Sequence, residues 1–110
     1  MEFKAQLPET LEKGLGGQTS IEKPMLFEFP DYRVRRMWMQ GMLVPIDIVW
    51  FDDGGTVTKI YENVPTTVGP KYSSITPAKY AIECAAGDAR RLGLVVGAHI
   101  RILRNEPNVN

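Results

Sequence analysis

A single cysteine, Cys84, stands in 110 residues, so no internal disulfide can form. Histidine is as scarce, with His99 alone. Structural zinc sites take four ligands drawn mostly from Cys and His, and this inventory argues against one. Neither sign of charge is in surplus: 13 Lys plus Arg balance 13 Asp plus Glu. A protein that coats nucleic acid needs a basic excess to neutralise phosphates, so that class is disfavoured. Zero net charge also removes long-range steering of a charged partner. No apolar run approaches the ~20 residues of a membrane-spanning helix. The first residues are charged from Glu2 onward and carry no apolar signal core. These shortages predict no metal or other cofactor, no nucleic-acid partner and no membrane span.

What remains is the composition of an ordinary globular domain, 44% hydrophobic and 24% charged. The expected organisation is one β domain over residues 1–103 and a frayed tail at 104–110. There is no internal repeat and no low-complexity segment. Strand signals dominate. Residues 3–7 offer a first strand, and Pro8 opens a short helical turn that Gly14 ends. Met25, Phe27 and Phe29 alternate along one strand face, and Pro30-Asp31 reads as a turn. Residues 34–39 form a strand that opens on Arg35 and Arg36. Residues 43–51 are the most apolar strand, expected to be covered on both faces, with Pro45 confined to its start or to an edge.

Asp52-Asp53-Gly54-Gly55 is a hairpin turn, and residues 56–61 return as the partner strand. In that strand Thr56, Thr58 and Ile60 are expected on one face and Val57, Lys59 and Tyr61 on the other. Residues 63–78 hold Pro65, Pro70 and Pro77 without periodicity, which predicts a long loop and makes it a candidate lid. Residues 79–84 are a strand with Tyr80, Ile82 and Cys84 on one face, Ala81 and Glu83 on the other. Asp88 is the expected N-cap of a helix over 89–92, stopped by Gly93, and residues 99–103 form a last strand. The sum is a mainly β fold of about seven short strands with one or two helical turns, a sandwich or a barrel.

Several stretches fall in a known order: Lys13-Gly14-Leu15, Met25-Leu26-Phe27, Trp38-Met39, Pro45-Ile46-Asp47-Ile48, Phe51-Asp52 with Gly55, Glu83 before Ala86-Gly87, and Gly93-Leu94-Val95-Val96-Gly97. Together they resemble the uncharacterised prokaryotic family called domain of unknown function 192, over about residues 3–103. The resemblance implies a compact, jelly-roll-like β fold and no established activity. Many members look exported, which leaves the compartment of this chain open. The chain departs from the family's pattern at three places. Gly16-Gly17-Gln18 stands where Met-x-Arg is usual, Gly41-Met42 where Asn-Thr is usual, and Gly97-Ala98 where Gly-Asp is usual. If those polar residues form a site with Asp47, the site is altered here.

The chemistry-bearing candidates each have a plain structural alternative. Asp47 interrupts an apolar strand, and a buried carboxylate must be satisfied. The leading reading is a structural carboxylate that pins a loop through backbone N–H groups. The functional reading puts it at the base of a ligand pocket, and a third makes its strand an edge with Asp47 in water. Trp38 and Met39 read first as core and second as pocket lining. Asp52-Asp53 lacks the oxygen spacing of a calcium loop. Cys84 reads as a buried thiol rather than a nucleophile. Arg33, Arg35 and Arg36 read as a solvated or ion-paired patch before an RNA surface.

The sequence therefore favours a non-catalytic module that binds a small molecule or a protein partner, as a monomer or weak homodimer. The ligand residues would be Trp38, Met39, Asp47 and Glu83. The alternatives are a small hydrolase using Asp47 and Glu83 as paired carboxylates, and a structural or interaction domain.

Overall fold

A four-stranded antiparallel sheet in the order β1-β6-β3-β4 forms the body of the protein. Its strands are β1 (Met25–Arg33), β3 (Ile46–Phe51), β4 (Val57–Val64) and β6 (Ala78–Ala85). A separate ribbon pairs β2 (Arg36–Trp38) with β5 (Lys71–Ser73), and one helix, α1 (Asp88–Arg91), follows β6. The computed structural model describes residues 5–101 except Glu9 and Glu12. The helical turn expected from Pro8 lies partly outside these residues, and the C-terminal tail wholly so.

The central strand explains the sheet. Every residue of β3 is buried, because apolar layers cover both faces. One layer joins Ile46, Ile48 and Trp50 to Phe27, Phe29, Leu15, Met39 and Met42. The other joins Val49 and Phe51 to Ile82, Cys84, Ala89, Leu94 and Ile100. A strand covered on both sides has no polar face to alternate, so its sequence reads as one apolar run. β3 is interior to the sheet, which removes the edge-strand reading of Asp47, and Pro45 falls just before the strand starts.

The mainly β class holds, but the sheets do not close into a barrel. Among the described residues there are six strands rather than seven. The described part of the first expected strand, residues 5–7, carries a parallel bridge from Gln6 to Met25, and that of the last, residues 99–101, a bridge between Thr56 and His99; residues 3, 4, 102 and 103 lie outside the described residues. The 63–78 segment is not a free loop. β4 runs on to Val64, and β5 docks on β2. Pairing with β2 supplies the order that its own sequence pattern did not announce. β1 likewise continues through Pro30 to Arg33, with a register shift between Glu28 and Arg33. Pro30 is tolerated there because β1 is an edge strand and the irregular stretch needs no ladder N–H.

Two bulges in β4 overturn simple alternation. Trp50 pairs with Lys59 but Phe51 pairs with Val57, so Thr58 is an extra residue. Val57 and Ile60 consequently face the same layer, not opposite ones. The second bulge lies opposite Asp47, where Ile46 pairs with Val64 and Ile48 with Tyr61. Asn63 takes φ 51° within it.

The hairpin forms as expected. The Asp52 carboxylate accepts the N–H of Gly54 at 3.0 Å and of Thr56 at 2.9 Å. Gly55 has φ 85°, and a Cβ there would sit 2.5 Å from the Ile100 carbonyl oxygen. Only glycine satisfies both the backbone and the space.

Candidate functional site

Asp47 is fully buried on the layer that contains Cys84 and Ala89. Its Oδ1 accepts the Asn63 N–H at 2.8 Å, and the bulge aims that N–H inward. Its Oδ2 accepts the N–H groups of Gly87 at 3.0 Å and Ala89 at 2.9 Å. These are the first donors of α1, which has no capping side chain of its own. Asp47 thus caps the helix from across the fold. The expectation that Asp88 is the N-cap is corrected: Gly87 holds that position, and Asp88 pairs with Arg91 at 3.2 Å. Gly93 follows the helix at φ 75° and ends it as expected.

Glu83 occupies the opposite layer. Across the β3–β6 ladder Asp47 faces Cys84 while Ile48 faces Glu83. Neighbouring residues along a strand point to opposite sides, so the sheet separates the two carboxylates. They share no cleft, and the paired-carboxylate hydrolase loses its geometric basis. Glu83 is 5% exposed. Burial pushes its pKa up to about 7, and the Leu15 N–H only partly opposes this. Gly14 lies against it: a Cβ at Gly14 would come 3.0 Å from Glu83 Oε1 and 3.0 Å from the Phe27 ring, and φ is 48°. Gly14 therefore closes over Glu83 in a way that a side chain at that position would block.

Beside Glu83 opens a cleft of about 340 Å³, lined among others by Phe27, Phe29, Trp38, Lys13 and the three arginines Arg33, Arg35 and Arg36. Trp38 is 52% exposed and lines the cleft, whereas Met39 is fully buried in the apolar layer. Alternation along the chain again accounts for the split. Of the four ligand residues expected from sequence, Trp38 and Glu83 line this cleft, Met39 lies in the core and Asp47 lies on the other face. No residue of the 63–78 segment lines the cleft, so it does not act as its lid.

The arginines have different situations. Arg35 lies over the Phe29 ring, 4.1 Å from its centroid, and donates to the Asp31 carboxylate, the Asp31 carbonyl (2.6 Å) and the Ala78 carbonyl (3.4 Å). The Ser74 hydroxyl accepts its backbone N–H, and its carbonyl accepts the Ser74 N–H. Arg33 reaches Asp31 at 3.4 Å. Asp31 is held below the usual carboxylate range, first by its bond to Arg35. Arg36 is exposed and makes no ion pair with a described residue. Lys13, Gly14, Phe27 and Arg36 escaped the sequence reading as cleft residues. The visible signal was three arginines within four residues beside Trp38.

The three departures from the family pattern also divide. Gly17 donates its N–H to the Gly41 carbonyl at 3.0 Å, so the Gly16-Gly17-Gln18 and Gly41-Met42 places adjoin. Ala98 instead packs in the layer of Val49 and Phe51. Cys84 is buried and its thiol is pushed up to about 12, by burial first and by the Asp47 charge second. Among the described residues no cluster of three His, Cys, Asp or Glu could hold a metal ion. No helix among them is long and apolar enough to cross a membrane.

The chain is similar to two solved structures. One is a protein of unknown function from Novosphingobium aromaticivorans DSM 12444, with 25% identity and a TM-score of 0.80, covering 88% of this chain and 73% of that one. The other is a proposed transcription regulator from Sinorhizobium meliloti 1021, with 31% identity and a TM-score of 0.73, covering 87% of this chain and 77% of that one. Among curated proteins, no sequence matches. The family model DUF192 (Uncharacterized ACR) matches residues 2–102. The order of short motifs and this match agree, and the chain belongs to the domain of unknown function 192 family.

Proposed function

We propose that this domain is a non-catalytic module that binds a small ligand in the cleft between Trp38 and Glu83. The observation that carries the reading is Glu83 itself. A carboxyl group 5% exposed, with no ion pair to a described residue, borders an open cleft that half-exposed Trp38 also lines. Carboxyl groups with shifted titration gather at binding sites, and ligand pockets combine apolar walls with few polar groups. The cleft volume of about 340 Å³ lies at the small end of the range for such pockets. Among the described residues that line the cleft, Glu83 has no second carboxylate and no Ser, Thr or Cys beside it, which favours binding over hydrolysis.

The likeness to a proposed transcription regulator fits a ligand-sensing role better than direct DNA reading. The one helix among the described residues has four residues, too short to lie in a major groove.

A thermal-shift screen of sugars, nucleotides, organic acids and lipids tests the reading. A ligand at 100 times its Kd adds about 2.7 kcal/mol to native stability. The shift is expected with the wild type and is expected to shrink in Trp38→Ala and Glu83→Gln. A complete screen without a shift would overturn the reading, as would a shift that both variants retain in full.

A further inference from the structure

The cleft concentrates positive charge on a chain that has none in surplus. Among the described residues, Lys13, Arg33, Arg35 and Arg36 line it with one acid, Glu83, although the whole protein is formally neutral. Arg35 is committed to Asp31 and the Phe29 ring, so it acts as a wall. Arg36 has no ion-pair partner among the described residues, and Arg33 is shared only with an exposed Asp31. Arg36 and Trp38 are two apart on β2 and point to one side. Two strand residues span roughly 6.5–7 Å, about one ring and its substituent. Glu83 lies nearly buried with its pKa pushed up to about 7 by burial, so near neutral pH its carboxyl group is shared between a protonated form that donates and an ionised form that accepts. Among the described residues, Lys13 from the N-terminal loop and the arginines of the β1–β2 segment are the basic groups that line the same cleft.

We propose that the cleft takes a small hydroxylated organic anion, a sugar or polyol that carries one phosphate or carboxylate. Its charged group sits on Arg36 and Arg33, its ring face on Trp38, and a hydroxyl at Glu83. The proposal rests on the ligand-binding reading above and adds the chemical class. Guanidinium groups match phosphate and carboxylate oxygens in pairs, while a tryptophan face and a carboxyl group suit the ring and its hydroxyls.

The test is an amide-resolved NMR titration of the full chain with four probes: glucose 6-phosphate, glucuronate, glucose and inorganic phosphate. The two charged sugars are expected to shift the Trp38 indole and the Gly14 and Glu83 amides. They should bind about tenfold or more tightly than glucose, as one charge-assisted contact implies. Arg36→Ala should remove that preference and Arg36→Lys should restore part of it, with the rest of the spectrum unchanged in both. The stronger of the two sugars identifies phosphate or carboxylate as the preferred group. Equal binding of glucose, unaffected by Arg36→Ala, would overturn the anion assignment and leave the ligand-binding reading standing. Inorganic phosphate as strong as glucose 6-phosphate would reduce the effect to surface charge and overturn the proposal. Cleft shifts from none of the four probes would also overturn it, and the thermal screen then decides the broader reading separately.

Discussion

Asp47→Asn is the sharpest perturbation of this fold, because it changes one oxygen into a donor and alters almost no volume. The carboxylate satisfies three backbone N–H groups, of Asn63, Gly87 and Ala89, at 2.8–3.0 Å. An asparagine keeps one acceptor. If its oxygen turns towards Gly87 and Ala89, its NH₂ faces the Asn63 N–H; turned the other way, it faces two donors. The better choice still loses one buried charge-assisted bond, worth about 1.5–3 kcal/mol, and weakens two others. The expected loss is about 2–4 kcal/mol, below the full cost of breaking a buried ion pair. Against a total of about 5–15 kcal/mol, such a loss is easily measured. Urea unfolding at neutral pH gives the number through a shift in midpoint at constant slope. Amide exchange gives the location: Gly87 and Ala89 should lose more protection than the β3–β6 ladder. A loss below about 1 kcal/mol, with Gly87 and Ala89 still protected, would refute the view that Asp47 holds α1 to the sheet.

Other outcomes follow from the same structure. The Glu83 pKa rises from 4.5 to about 7 on folding, so the native state binds its proton more tightly. That stabilisation is complete below about pH 4.5 and is lost as pH rises through about 7, a span of roughly 3 kcal/mol if no other group compensates. Glu83→Gln should flatten this part of the urea-derived profile between pH 5 and 8, and an unchanged slope in the variant would contradict the assignment. Ile75 is β-branched, 63% exposed and held at φ 68°. Ile75→Asn should raise stability by about 0.5–1.5 kcal/mol, since asparagine tolerates that backbone; a lower unfolding midpoint would count against the strain. Cys84, buried with its thiol pushed up to about 12, should react with a thiol reagent only as fast as the fold opens. Labelling within seconds in native buffer would show the second apolar layer to be loose.

Much of this protein is decided by local pattern. Alternation placed Met25, Phe27 and Phe29 on one face and Tyr80, Ile82 and Cys84 on another, because a strand sends successive side chains to opposite sides. The Asp52 to Gly55 turn was legible for an equally local reason, since Asp52 bonds its own loop and Gly55 alone accepts the backbone required. The family was legible from the order of short motifs. Tertiary structure decided the rest. β5 is a strand because β2 lies beside it, not because of its own residues. The β4 bulges moved Ile60 to the layer of Val57 and aimed Asn63 at Asp47, and a bulge leaves no mark in periodicity. Asp47, Met39, Trp38 and Glu83 looked like one constellation along the chain. The β3–β6 register put Asp47 behind the sheet, burial took Met39 into the core, and only Trp38 and Glu83 reached a common cleft. Register is a relation between distant strands, so one sequence read in order can name the polar residues that matter but not the side of the sheet on which each will act.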